Sequence, residues 1–519
     1  MKMNFLRLIF LIILTTVLVY SCNRQSGSDS SKDTVLYEPT WESLSNHDPA
    51  PEWFKDAKLG IYFHWGVYSV PAFGSEWYPR HMHFEDRREY EHHLETYGHP
   101  SEFGYHDFVP MFKAENFNAE EWADLFVRAG ARFAGPVAEH HDGFSMWDSE
   151  VTPWNSMDKG PRRDITGELK EAITGNGMKF ITTFHHAKHL QRYSGQEEEQ
   201  MAIEDNPRAR FRNSHYPLFP GMPPTTDDAE WNYLYGNIPE EEWLEKIWLG
   251  KLKEVVDNYQ PDIVWFDSWL DQIPDTLRRR FCAYYLNAAL QWDKEVVIVR
   301  KQDDLPLDFS VDDLEKSRKN KLEKKAWMTD ETISKGSWCY TEDLEIKASR
   351  DVLHVLIDIV SKNGVLLLNI SPKSDGTIPE DQKQVLLDIG KWLENFGEAI
   401  YETRPWYTFG EGPTKEPEGH FKNHSEFLKV KYSSEDLRYT TRDDVVYASL
   451  LGTPAAGEKV TLESFSAVNY GNKIGVVSVE LLGSEKEPDW ELTDEGLVIE
   501  IPDTKLNEMA VVLKITTKG

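Results

Sequence analysis

The chain has 519 residues, 40% of them hydrophobic and 28% charged, the balance of a folded globular protein and not of a disordered one. With 57 Lys+Arg against 88 Asp+Glu its formal charge is −31, which repels phosphate backbones and anionic lipid and argues against nucleic-acid or membrane-surface binding. Three cysteines (Cys22, Cys282, Cys339) are too few for a disulfide framework or a four-thiolate zinc site, whereas 18 Trp, 22 Tyr and 25 Phe supply flat faces of the kind that stack on sugar rings.

In chain order, residues 1–7 carry Lys2 and Arg7, and 8–20 follow without a charge. That is the pattern of a secretory leader, too short for a membrane span of about 20 residues. Ser21 before Cys22 resembles a bacterial lipoprotein box. The expectation is a signal peptide over 1–21, lipidation of Cys22 and a polar Ser/Gly tether over 22–45. The mature protein is then exported, periplasmic or held to the outer membrane of a bacterium by its lipid.

Between 46 and 398 short apolar runs alternate with helical patterns. The expected strands are 59–64, 133–138, 180–184, 262–266, 296–299 and 365–370. Two helices read clearly: 118–129, opened by Asn118-x-x-Glu121 and stopped at Gly130, and 240–259, with Leu244, Ile247, Trp248, Leu252, Val255 and Tyr259 on one face and Pro261 beyond its end. This alternation predicts an α/β fold, a (β/α)8-like barrel, and a doubly wound sheet shares the same pattern. From 399 to 519 short alternating runs separated by Gly, Pro, Asn and Asp predict a C-terminal antiparallel β-sandwich, a brace on the barrel more readily than a sugar-binding module.

In a parallel barrel the reactive groups stand at the C-terminal strand ends. Those ends are polar here: His64-Trp65-Gly66, with Glu76-Trp77 soon after; Glu139-His140-His141-Asp142; His185-His186; Trp265-Phe266-Asp267; and Arg300. The imidazoles suit metal-assisted hydrolysis, although adjacent histidines on a strand face opposite ways and chelate poorly. His81-Met82-His83 lies in a charged stretch expected to be solvated. The carboxylates suit glycoside hydrolysis, with Asp267 as the ionised group. A sugar-binding lipoprotein without turnover would need only the pocket.

Several runs together resemble one family. Lys58-Leu59-Gly60-Ile61-Tyr62-Phe63-His64-Trp65-Gly66 with Ser75-Glu76-Trp77-Tyr78, His140-His141-Asp142-Gly143-Phe144, Tyr259-x-Pro261-Asp262-x-x-Trp265-x-Asp267, and Ser361-Lys362-Asn363-Gly364 leading to Asn369 are similar to the family 29 α-L-fucosidases, in the right order over nearly the whole mature chain. The resemblance implies a retaining exo-α-L-fucosidase acting on a fucosylated oligosaccharide or glycoconjugate, with no metal or organic cofactor. It makes Asp267 the nucleophile, puts His64, Glu76, Trp77, His140 and His141 on the sugar, and completes the pocket with Trp265, Arg300 and Trp338. The general acid lies on a variable loop, and Glu315 is favoured over Glu331. Where many relatives carry Tyr-Tyr-Ser this chain has Phe184-His185-His186, which makes His185 the substitute contact. Met328, Cys339 and Ser268 are further departures, pointing to a bacterial subgroup. Linkage and oligomeric state are left open.

Overall fold

The computed structural model describes residues 36–518 other than 101, 190–228, 237, 418–423, 467–468 and 470–474. The expected leader and Cys22 lie outside the described residues, as does the tether up to residue 35. Residues 40–45, expected as the end of that tether, are folded: Thr40 caps the helical turn Trp41–Leu44, Leu44 is buried, and Trp41 stacks on Phe309.

Eight parallel strands close a barrel in sequence order: β1 Leu59–Phe63, β2 Phe133–Glu139, β3 Lys179–Phe184, β4 Ile263–Phe266, β5 Val297–Arg300, β6 Val311–Asp313, β7 Trp327–Thr332 and β8 Gly364–Ile370. β8 returns to β1 with Leu366 beside Leu59, which removes both sheet edges. Side chains alternate across a strand, and the interior is filled by every second residue: Tyr62, Phe133, Val137, Ile181, Ile263, Trp265, Val297, Val299, Val311, Met328, Val365 and Leu367. Gly60 belongs to this set without a side chain because the Phe133 ring occupies its place; an added Cβ would sit 2.0 Å from that ring.

Six strands match the apolar runs. β6 is three residues long, too short to show a period, and β7 turns Asp330 and Thr332 inward where a core strand would carry apolar groups. The helix Ala119–Arg128 starts on Asn118, whose side chain accepts from Glu120 and Glu121 N–H. The expected helix over 240–259 is helical throughout but tightens and loosens, with a π-helical stretch Trp243–Trp248 between Glu240–Glu242 and Leu249–Tyr259. Its Gly250 faces Val151, which an added Cβ would meet at 3.3 Å. The 81–83 segment departs from expectation: it closes the short helix Tyr78–His81 and buries His83.

The C-terminal part is two antiparallel sheets. β9 Arg404–Glu411, β10 Leu437–Arg442, β11 Val445–Leu450, β13 Gly475–Leu481 and β16 Val511–Lys518 form one, in the order β13-β16-β11-β10-β9. β12 Lys459–Leu462, β14 Asp489–Leu492 and β15 Leu497–Glu500 form the other. Tyr439, Ala448, Leu450, Leu513 and Ile515 pack on Leu462, Leu497 and Ile499 between them. The outer face of the larger sheet meets the barrel helices Ser349–Ser361 and Glu380–Phe396: Arg438 Nε donates to Asp358 at 2.5 Å, Thr440 Oγ1 to Ala399 O at 2.7 Å, and Trp392 Nε1 to Ala510 O at 3.1 Å. These contacts make the sandwich a brace. Cys282 and Cys339 are free and buried, and no helix among the described residues is long and apolar enough to cross a membrane.

Behind the barrel wall, Lys251 Nζ reaches both oxygens of Glu139 at 2.8 and 2.7 Å with each side chain 1% exposed. Lys251→Met would leave a buried carboxylate with, among the described residues, only the Ser145 hydroxyl as donor. The expected cost is about 3–5 kcal/mol in denaturant-induced unfolding, and the double variant with Glu139→Gln should recover most of it. A loss under about 1 kcal/mol would mean water reaches Glu139.

Candidate active site

Because the strands are parallel and side chains alternate, continuing the interior set upward names the residue at each strand's C-terminal mouth. It is His64 after Tyr62, His185 after Thr183, Asp267 after Trp265, Lys301 after Val299, Glu315 after Asp313, Asp330 after Met328 and Asn369 after Leu367. β2 carries an irregularity between Val137 and Glu139, which turns Glu139 outward onto Lys251 and brings His140 against His185, ring centroids 4.6 Å apart. The strand has ended by His141, so that ring also faces the mouth, 4.7 Å from His140.

Lys301 is the hub. Its Nζ lies 3.0 Å from Asp267 Oδ1, 3.1 Å from Glu315 Oε2 and 3.0 Å from Asp330 Oδ2, and 4.7 Å above the Trp265 ring. Three N–H donors thus meet three carboxylates. Burial opposes its charge, but Asp267, Asp330 and Glu315 outweigh burial and hold the ammonium well above its usual pKa. Asp267 is 8% exposed, and its second oxygen lies 3.1 Å from His141 Nε2. His141 Nδ1 faces Lys188 O at 2.6 Å, so both ring nitrogens meet acceptors and the ring is held in place between them. Burial alone would raise Asp267, yet the Lys301 ammonium and the hydrogen bond from His141 pull it well below the usual carboxylate range.

Glu315 shares Lys301 but answers oppositely. Its desolvation is the largest influence and raises it; Lys301 opposes, and Asp330 and Asp267 add to the rise. Two carboxyls on one ammonium are therefore pushed apart, one kept charged and one biased toward its proton. The two oxygens that touch Lys301 can be no farther apart than those contacts laid end to end, a bound compatible with the roughly 5–5.5 Å of a retaining carboxyl pair. Beneath them Asp313, buried beside the like-charged Asp330, is raised well above its usual range by burial and by that neighbour.

His64, His140 and His185 place donor nitrogens within 4.8 Å of one another. His64 Nδ1 is joined to Asn369 Oδ1 at 2.8 Å, and the Asn369 amide is itself fixed by donating to Thr332 Oγ1 and Trp338 O. Burial lowers His64 to about 3 and His140 and His185 well below 6.5, so all three rings are neutral. Neutral imidazoles each offer one donor and one acceptor, the set that sugar hydroxyls use and also the set that could hold a divalent ion. Trp338 stacks on His64 at 5.2 Å, and its backbone N–H donates to Glu76 Oε2 at 3.3 Å. Trp77 and Trp269 flank His141 at 5.3 Å each.

Most of the expected site residues are thus brought together: Asp267, Glu315, His64, Glu76, Trp77, His140, His141, His185, Trp265 and Trp338. Two are not. Arg300 lies on the opposite face of β5 from Lys301, where its guanidinium donates to Leu305 O at 2.6 Å and pairs with Asp303 and Asp312. Glu331 lies on the opposite face of β7 from Asp330 and pairs with Lys347 at 2.8 Å. Lys301, Asp330, Asn369 and Trp269 were missed. For the first three, counting by twos from the interior apolar residues would have found them.

A family model described as Alpha-L-fucosidase matches residues 24–398, and one described as Alpha-L-fucosidase C-terminal domain matches 431–516. The chain is 31% identical to the tissue alpha-L-fucosidase of Rattus norvegicus over 502 residues, covering 92% of each. It is 30% identical to that of Homo sapiens, covering 90% of this chain and 88% of the human one. Among solved structures, the Thermotoga maritima alpha-fucosidase in complex with fucose superposes with a TM-score of 0.71 at 27% identity, over 92% of this chain and all of that one.

Lys301→Met removes the cation that does most to hold Asp267 charged. The Asp267 side-chain carboxyl, followed by 13C NMR, should then titrate about one pH unit or more higher than in the wild type. An unchanged midpoint would mean that His141 alone sets it.

Proposed function

The chain belongs to the α-L-fucosidase family, and from that premise we propose that it releases terminal α-L-fucose with retention, using Asp267 as nucleophile and Glu315 as acid and base. As a family member it is a glycoside hydrolase, an α-L-fucosidase acting on fucosylated glycans. The observation that carries the finer reading is the shared ammonium: one cation, two carboxyls, opposite ionisation biases.

In the first step an Asp267 oxygen bonds to the anomeric carbon as the glycosidic C–O bond breaks, and Glu315 gives its proton to the departing oxygen. Ester formation cancels the Asp267 charge, and that charge is one of the influences raising Glu315. Glu315 therefore releases its proton to the leaving oxygen more readily as the ester forms, and is left ionised and able to act as the base in the second step. In the second step it takes a proton from water, the hydroxide oxygen replaces Asp267 at carbon, and fucose leaves with its original anomeric form. Glu315 is also the more exposed of the pair, 19% against 10% for the side chains, as an acid on the leaving-group side requires. His64, His140, His141 and Glu76 grip hydroxyls, and Trp338 covers the apolar side of the ring. Glu331 is a poor rival, since Lys347 holds it below its usual pKa despite its burial.

A second reading, metal-dependent hydrolysis, draws on the trio of neutral histidines. The two readings part on chelation: exhaustive treatment with EDTA should leave turnover of 4-nitrophenyl α-L-fucoside unchanged, and loss restored by zinc would favour the metal. On the same substrate Asp267→Ala should lose at least about a hundredfold in kcat. Glu315→Ala should lose about 10²–10⁴-fold on a poor leaving group and be rescued by azide, with an α-fucosyl azide, the retained anomer, as product. Rescue of Glu331→Ala instead would overturn the assignment.

The leader pattern supports export and anchoring through Cys22. Mass spectrometry of the mature N-terminus should find a diacylated or triacylated Cys22, and Cys22→Ala should move the protein from the membrane to the soluble fraction. An unmodified terminus elsewhere would make it a secreted enzyme.

A further inference from the structure

The 315–318 stretch has two sides. Glu315 faces the barrel mouth, and Lys316 lies over the Trp338 ring at 4.3 Å while donating to Gly336 O. Arg318 lines a second cavity, of about 550 Å³, between the barrel and the 424–432 segment of the C-terminal part; Glu331 and Lys347 stand on one side of it and Phe427, Lys431 and Tyr432 on the other.

The lysines around this cavity already have carboxylates. Lys347 is 2.8 Å from Glu331, Lys431 2.8 Å from Asp351 and Lys335 3.0 Å from Glu345. Arg318 differs. It is 5% exposed, its guanidinium is stacked on Phe427 at 4.9 Å, and its Nη1 is buried with no hydrogen-bond partner among the described residues. The nearest buried carboxylates are engaged elsewhere: Asp358 by Lys362 and Arg438 at 2.7 and 2.5 Å, and Glu416 by the same two at 2.5 and 2.9 Å. Three cations, Arg318, Lys362 and Arg438, thus face two carboxylates, and one buried positive charge is left over. Burial works against the Arg318 cation, but Tyr432, Glu416 and Asp358 outweigh it and keep the group charged. A guanidinium held out of water needs an oxyanion, and its planar fork fits a sulfate or carboxylate with two parallel bonds.

We propose that this cavity is an oxyanion-binding site centred on Arg318, which takes a sulfate ester or carboxylate group. Arg318 is three residues from Glu315, so their Cα atoms are within about 11 Å. On the fucosidase reading above, Glu315 marks the leaving-group side. The anion is then carried by the part of the glycan beyond the fucose, and free sulfate is the other source of the same chemistry.

The full-length mature protein is used for the test, with sodium sulfate titrated at constant ionic strength against sodium chloride. Sulfate should raise the unfolding temperature of the wild type by about 2 °C or more, and should do so little in Arg318→Met, which keeps the stacking volume without the charge. Lys431→Glu, at an exposed position, is the second variant and should weaken sulfate binding at least threefold even if Arg318→Met folds poorly. A fucosylated disaccharide bearing a sulfate on its second sugar should be cleaved with kcat/KM at least tenfold above its unsulfated twin, with the advantage lost in both variants. Turnover of 4-nitrophenyl α-L-fucoside, which carries no such group, should be unchanged and reports separately on the fucosidase reading. Stabilisation by free sulfate without a preference between the disaccharides would assign the site to a free anion. No stabilisation and no preference, with the nitrophenyl substrate still turned over, would overturn the proposal.

Discussion

One buried ammonium organises the mouth of this barrel. Lys301 Nζ lies 3.0–3.1 Å from oxygens of Asp267, Glu315 and Asp330, donated by β4, β6 and β7, so three strand ends are tied to a fourth through a single nitrogen. Breaking any of these pairs would strand a charge away from water, which is why the cluster stands as a unit. Its chemical consequence is an asymmetry. Asp267 has the help of His141 as well and stays ionised, whereas Glu315, desolvated and facing two like charges, is biased toward its proton. Two carboxyls on one ammonium are given opposite biases by environment alone, as the proposed mechanism requires.

The neighbouring strands supply a different kind of surface. His64, His140 and His185 are too buried to be charged, and Asn369 fixes the His64 ring while its own amide is held by Thr332 and Trp338. Neutral rings fixed by packing present hydroxyl-sized donors and acceptors without adding charge to a mouth already balanced by Lys301. The sandwich braces this arrangement from behind: the helix that meets β9 and β10 follows β7, and the turn that ends the helix after β8 accepts from Thr440 on β10; β7 and β8 carry Asp330 and Asn369.

Six of the eight barrel strands, the sandwich and ten of the expected pocket residues were legible in the sequence, because apolar runs and polar strand ends are local signals. The unseen parts share a physical cause. β6 is too short to carry a period, and β7 places Asp330 and Thr332 where the core pattern calls for apolar groups; its inward carboxylate is stable only because Lys301 and Tyr62 meet it. Arg300 was placed in the pocket as a strand-end residue and by the resemblance, and Glu331 was the second acid candidate, but the period of two puts Lys301 and Asp330 inside and their neighbours out. His185 was named as the substitute for the Tyr-Tyr-Ser of relatives and stands at that period's inward position, and His186 beside it turns away to Trp248 O at 3.1 Å. What could not be read was the partner of each charge, since ion pairs such as Lys251–Glu139 join residues more than a hundred positions apart.

The central claim is that the charge held on Asp267 by Lys301 attacks the sugar. The most direct measurement is to incubate the enzyme with 2-deoxy-2-fluoro-α-L-fucosyl fluoride, which slows the second step, and to map the adduct by peptide mass spectrometry. The account predicts one fluorofucosyl group per chain, esterified to Asp267, formed at a rate sharply reduced in Lys301→Met. A label on Glu315 or on any other residue, or inactivation without a covalent adduct, would contradict it.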